Sequence, residues 1–173
     1  MHVDFAVVGN GLLGAAVVHE LSKRAKRVVG FGAPYGAQGR YYSSHEDDSR
    51  LVRTFHDDPY WEDLTTHNLH EMKVLEENTG ISIFRPLPVY YRRQDRAMAP
   101  ARPSLRPLKQ GTSEGARAFD AEDQEGGILH PKEYIRAMNT LASTRGAEVH
   151  PAIVTGGAAG LACTWRFESH RVR

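Results

Sequence analysis

The chain has 173 residues, with 22 Lys and Arg against 21 Asp and Glu, so its formal net charge is +1. That balance excludes the overall basic excess of a dedicated nucleic-acid binder, and 40% hydrophobic with 25% charged residues is a globular composition. No apolar run reaches the roughly 18–20 residues needed to cross a bilayer, the amino terminus lacks the basic and cleavage regions of a secretory signal, and a lone Cys163 excludes an internal disulfide framework and a multi-cysteine zinc site.

Val3 to Val8 is a short apolar run rich in β-branched residues and hardly alternates, which predicts a buried strand. Gly9-Asn10-Gly11-Leu12-Leu13-Gly14 follows directly, then helix formers from Ala15 to Lys23, then a second strand over residues 26–32. Strand, glycine turn, helix and strand within about 30 residues make half of a Rossmann unit. In that reading Gly9 permits the tight turn, Gly11 lets a pyrophosphate approach the backbone, and Gly14 lets the helix pack closely. The helix start at Leu12 and Leu13 offers unpaired N–H groups to the phosphates. The alternative is a purely structural glycine-rich turn. The carboxylate that such units carry at the end of the second strand is missing, and Gly32 stands there. No arginine follows directly to meet a 2′-phosphate.

Residues 43–53 are short, polar and dense in hydrogen-bonding groups: Ser43, Ser44, His45, Glu46, Asp47, Asp48, Ser49, Arg50 and Arg53. A helix is predicted from about Pro59 to Asn78, with an apolar stripe of Trp61, Leu64, Met72 and Leu75 and a stop at Gly80. Residues 81–92 read as extended, with Pro86 and Pro88 favouring an edge or a break. From Arg85 to Lys109 the chain carries seven basic residues and one acid, Asp95, with Pro100, Pro103 and Pro107 breaking regular structure. From Arg92 to Lys109 no aromatic side chains interleave with these charges as stacking platforms, which favours a solvated excursion over an RNA- or membrane-binding patch. The acidic run from Asp120 to Glu125 balances the charge. Gly126 and Gly127 turn the chain back into a helix that Pro131 opens and Gly146 closes, with an apolar face of Tyr134, Ile135, Met138 and Leu141. Glu148 to Val154 reads as a third parallel strand.

Taken together, Val7 to Gly14, Ser44-His45, Arg50 and Arg53, the helix from about residue 60, and the segment from Gly127 to Val149 resemble the flavin-dependent amine and amino-acid oxidases of the D-amino acid oxidase family. The sarcosine-oxidase branch is the more similar one. The resemblance spans about residues 3–155. It implies an α/β fold: an incomplete Rossmann-like FAD-binding domain with a parallel sheet and a partial substrate-domain insertion. The implied division is 1–80 for the first part of the FAD domain, 81–125 for the excursion, 126–155 for the returning helix and strand, and 156–173 for an unmatched tail. FAD is the implied cofactor, with Gly9, Gly11, Leu12, Leu13, Gly14, Ser44, His45, Arg50 and Val154 as its contacts. Arg53 matches the position that takes the substrate carboxylate, which a guanidinium can grip with two parallel bonds, and Arg50 is implied to sit near the flavin. Where sarcosine oxidase has a second histidine this chain has Glu46.

The implied reaction is oxidation of the C–N bond of a small amine or N-methyl amino acid, with a hydride equivalent passing to the flavin. The imine then hydrolyses, and molecular oxygen or another acceptor takes the electrons. No nucleic-acid, membrane or metal partner is expected, and the expected compartment is the cytoplasm. The resemblance further implies that the chain stops short, leaving the first strand open on one side. Three alternatives stay open. Arg50 and Arg53 can instead pair with Asp47 and Asp48 on a short helix. The chain can be an inactive nucleotide-binding fragment, or an interaction fragment using its basic stretch. A dehydrogenase using NAD is the weaker cofactor alternative, because Gly32 removes its usual ribose acid.

Overall fold

A computed structural model of the chain describes residues 2–32, 47–56, 58–91, 105–107, 121–158 and 164–169. These form two compact units: Met1–Asp48 with Leu75–Ile81 and Pro131–Arg173, and Ser49–Val74 with Ser82–His130.

The first unit is a sheet with helices. Strands β1 (Phe5–Val8), β2 (Val28–Gly32) and β9 (Glu148–Ala158) run parallel in the order β1-β2-β9, and β10 (Thr164–Ser169) adds antiparallel to β9. The mixed α/β class and the third parallel strand expected from the sequence are both present. Helix α1 (Leu12–Ser22) connects β1 to β2, and α3 (Pro131–Thr144) leads into β9. Val18 of α1, Val28 of β2, and Ala142 and Ala147 from the end of α3 form a buried cluster, with Val7, Leu21, Ala25 and Val149 packed around it. Pro131 stands at the first turn of α3, where its missing N–H costs nothing. The helix ends in a Schellman arrangement. Gly146 has φ +90°, its N–H donates to the Ser143 carbonyl at 3.0 Å, and the Ala147 N–H donates to the Ala142 carbonyl at 3.1 Å.

Burial in this sheet differs from the sequence expectation. The buried strand is β2, whereas Phe5 and Val8 of β1 are 47% and 54% exposed. Strand β1 pairs on one side only among the described residues, so its apolar composition is not matched by burial. The segment read as an unmatched tail contains β10, in register from Thr164↔Ala158 to Ser169↔Ala152.

The second unit holds two small antiparallel sheets. Strand β8 (Gly127–Leu129) lies between β3 (Arg50–Val52) and β4 (Phe84–Pro86), and β7 (Ala121–Asp123) lies between β5 (Val89–Tyr91) and β6 (Leu105–Pro107). Pro86 ends an edge strand, as expected of a residue without an N–H to donate. Pro107 also ends a strand, β6, which corrects the expectation that it breaks regular structure. The short helix considered for Arg50 and Arg53 is likewise replaced by strand β3.

Helix α2 (Pro59–Thr79) starts where the sequence predicts. The Asp58 carboxylate accepts the Tyr60 N–H at 3.0 Å, an N-cap bond, and Pro59 takes the first helical position. Gly80, at φ +68°, closes the helix by donating to the Glu76 carbonyl. Of the predicted stripe Met72 and Leu75 are buried, while Trp61 and Leu64 are exposed.

Candidate functional site

The glycine turn is built at the carboxyl end of β1, the side of a parallel sheet where ligands are held. Gly9 has φ +99°, a conformation that side-chain-bearing residues rarely adopt. Its N–H donates to the Phe31 carbonyl at 2.7 Å, which ties the turn to β2. At Gly14 a Cβ would overlap the Gly9 carbonyl, so only glycine lets α1 start this close to the turn. Gly11 is the N-cap in extended conformation, with φ −80° and ψ −164°, and no side chain caps the helix. The amides of Leu12, Leu13 and Gly14 therefore lack a side-chain acceptor at a positive helix end, the arrangement that suits a phosphate. Asn10 adds a second sign: its Oδ1 is buried and has no hydrogen-bond partner. A buried polar group left unpaired is costly, and a bound polar ligand removes that cost.

The structure also accounts for Gly32. An ideal Cβ there would lie 2.8 Å from the Asn10 amide nitrogen and closer still to the Asn10 Cβ. The end of β2 thus runs against the glycine turn itself, and no carboxylate side chain fits between them. Beside it, Phe31 of β2 and His150 of β9 stack with ring centroids 5.6 Å apart, a pair that the sequence reading did not single out. Val154 lies beyond the parallel pairing of β9 with β2, which ends at Gly32↔Pro151, and faces Phe167 of β10 in the antiparallel ladder.

The arginine segment belongs to the second unit. Arg50 opens β3 opposite Leu129, is partly buried, and donates from Nη1 to the Ser49 carbonyl at 3.2 Å. Arg53 follows β3, and its side chain is exposed. Its guanidinium makes no hydrogen bond or ion pair among the described residues, so it is not consumed by a neighbouring acid. Asp48 meets Lys132 instead, at 3.3 Å within the first unit. Ser44 and His45 lie outside the described residues, as do Cys163 and the basic stretch apart from residues 85–91 and 105–107.

The polar centre of this unit is Asp123, a residue that the sequence reading absorbed into an acidic run. It is 0% exposed. Its Oδ2 accepts the Thr54 N–H at 2.7 Å and, at 3.4 Å each, the Phe55 N–H and the Tyr91 hydroxyl. Its Oδ1 accepts the Thr54 hydroxyl at 2.8 Å and the Glu125 and Gly126 amides at 3.1 Å each. Every partner donates, as an acceptor-only carboxylate requires. Burial, reinforced by the Asp123 charge, pushes the Tyr91 hydroxyl well above its ordinary range, so Tyr91 remains a donor. Its ring meets Phe55 edge-on at 5.4 Å. The signal in the sequence was alternation: in Ala121-Glu122-Asp123 the third residue shares the inward face with buried Ala121.

Among the described residues, no group of three or more His, Cys, Asp or Glu is placed to hold a metal ion, and no helix is long and apolar enough to cross a membrane.

No family model and no curated protein matches the sequence. Solved structures do match. A single-residue mutant of NikD, an unusual amino acid oxidase essential for nikkomycin biosynthesis, superposes with a TM-score of 0.68 at 17% identity, covering 95% of this chain and 47% of that one. L-proline dehydrogenase from P. horikoshii gives 0.70 at 16% identity over 92% and 46%, and glycine oxidase from Geobacillus kaustophilus gives 0.65 at 18% over 95% and 51%. This chain therefore spans about half the length of those structures, and what it shares with these amino acid oxidases and this dehydrogenase is their fold.

Proposed function

We propose that the chain binds FAD at the Gly9–Gly14 turn and belongs to an oxidoreductase that oxidises the C–N bond of a small amine or amino acid. The observation that carries the reading is the turn itself. It is an uncapped helix start, brought against β1 by a glycine that no other residue can replace, with an orphaned Asn10 Oδ1 beside it. The residues fit a dinucleotide: Leu12, Leu13 and Gly14 supply amides for the diphosphate, and Gly32 leaves the ribose without a side-chain acid. FAD is preferred over NAD because the missing ribose acid counts most against NAD, and because the solved structures of like fold are amino acid oxidases and a proline dehydrogenase. When bound, FAD supplies a two-electron acceptor for the carbon next to nitrogen.

The protein's part is to bind and orient. Arg53 presents an exposed guanidinium on a fixed backbone, suited to a substrate carboxylate. Arg50, Ser44, His45 and Val154 complete the proposed cofactor and substrate contacts, and an N-methyl amino acid of the sarcosine type is the proposed substrate class. Molecular oxygen or a second acceptor would take the electrons. Peroxide release from a panel of small amino and N-methyl amino acids tests the reading. Activity on at least one carboxylate substrate is expected, with a KM raised about 100-fold by Arg53→Ala, the loss of a charge-assisted bidentate pair. A flavin-loaded protein that oxidises none of them would contradict the reading.

A further inference from the structure

Arg53 is useful only if its backbone holds still, because an exposed guanidinium on a loose segment loses the advantage of preorganisation. Three restraints converge on it. Before it, β3 is paired to β8 as far as Val52↔Gly127. On its own carbonyl sits His56, whose Nε2 lies 3.2 Å from Arg53 O and 3.2 Å from Thr65 Oγ1. The Thr65 hydroxyl already donates to the Trp61 carbonyl, so both oxygens near His56 accept, and Nε2 carries the hydrogen. After it, the Thr54 amide and hydroxyl and the Phe55 amide all end on Asp123.

The last restraint is the unusual one. A fully buried carboxylate carries a heavy desolvation penalty, which is met here by the Tyr91 hydroxyl and by hydrogen bonds from two further stretches of chain. One stretch is Thr54-Phe55, directly after Arg53. The other is Glu125-Gly126, the turn into β8, which is the strand that pairs with β3. The same carboxylate therefore fixes the segment after Arg53 and the turn leading to the strand that aligns the segment before it. Thr54 is itself 1% exposed, so water does not compete for these bonds.

We propose that Asp123, acting through Thr54, is the positioning residue that sets the Arg53 guanidinium for a ligand carboxylate. The proposal rests on the reading of Arg53 as a carboxylate anchor.

The experiment measures acetate and acetamide binding to the flavin-loaded protein by calorimetry, using Arg53→Ala, Asp123→Asn, Thr54→Val, Thr54→Ser and the double variant Arg53→Ala/Thr54→Val. The parent protein is expected to prefer acetate, and Arg53→Ala to abolish that preference. Thr54→Val is expected to weaken acetate about 5- to 10-fold and Asp123→Asn by about 10-fold or more, the scale of one or more lost buried hydrogen bonds, with Thr54→Ser close to the parent. In the double variant the valine is expected to add nothing, a non-additivity that general loosening of the fold would not produce. If Arg53→Ala leaves the acetate preference intact, the anchor reading fails and takes the proposal with it. If Arg53→Ala removes the preference while Thr54→Val leaves it unchanged, or the two losses simply add, the anchor stands and the positioning role is overturned. Should Asp123→Asn fail to fold, the Thr54 variants and the double variant decide the matter.

Discussion

The guanidinium of Arg145, just after α3, lies 3.3 Å from Nδ1 of His19 in the last turn of α1. Arginine has no acceptor and stays protonated, so His19 Nδ1 must accept, which fixes the imidazole as neutral. Burial lowers the His19 pKa below its ordinary value of 6.5, and the charges of Lys23 and Arg145 add to the effect.

A pH dependence of known sign follows. The unfolded chain takes up the His19 proton near 6.5, while the folded chain resists it down to a lower pH. Stability contributed by neutral His19 is therefore full above about pH 6.5 and is lost as pH falls from there towards the depressed folded value. Urea midpoints are expected to drop between about pH 7.5 and pH 5, and His19→Gln is expected to flatten that drop. An unchanged slope in the variant would assign the pH dependence to other groups.

Thr54→Val keeps the shape of the side chain and removes its hydrogen bond to Asp123 Oδ1. The Glu125 and Gly126 amides still hold that oxygen, so the carboxylate is not orphaned. A loss of about 1–2 kcal/mol in urea unfolding is expected, the cost of one buried hydrogen bond to a charged acceptor. Asp123→Ala, which strands several donors at once, is expected to cost about 3–5 kcal/mol in the same measurement.

Among the described residues β1 is the edge of its sheet, where Phe5 and Val8 are exposed, and Leu13 of α1 is 85% exposed. An open apolar edge templates pairing with another chain. The 173-residue polypeptide is expected to associate with rising concentration in light-scattering measurements, and Val8→Lys is expected to suppress this, since a charge on an edge strand blocks pairing. A monomer at all concentrations for the parent polypeptide would contradict the expectation.

Local signals in the sequence were enough for the first unit's framework. Gly9 and Gly14 mark the turn because backbone geometry demands them, and Pro131 and Gly146 bracket α3 for the same local reason. What escaped depends on partners distant in sequence. Asp123 reads as one more acid in a charged run, and its role appears only when Thr54, 69 positions away, delivers two donors to it. Pro107 and the strand β10 are fixed by neighbours across a sheet, which no local propensity reveals. The exposure of β1 is equally non-local, because an apolar run does not say whether both of its sides are paired. Near the candidate site, the tight glycine turn was legible from local geometry, whereas the hydrogen bonds that tie Thr54 and Phe55 to Asp123 were not.

The most direct test of the account is an equilibrium titration of the folded protein with FAD, read by flavin fluorescence, beside a parallel titration with NAD and a repeat on Gly14→Val. The predicted result is saturable FAD binding, at least about tenfold tighter than NAD. The Gly14→Val protein, in which a side chain displaces α1 from the Gly9 carbonyl, should lose that binding. A folded parent protein that leaves FAD fluorescence unchanged, or a Gly14→Val variant that binds FAD as well as the parent does, would contradict it.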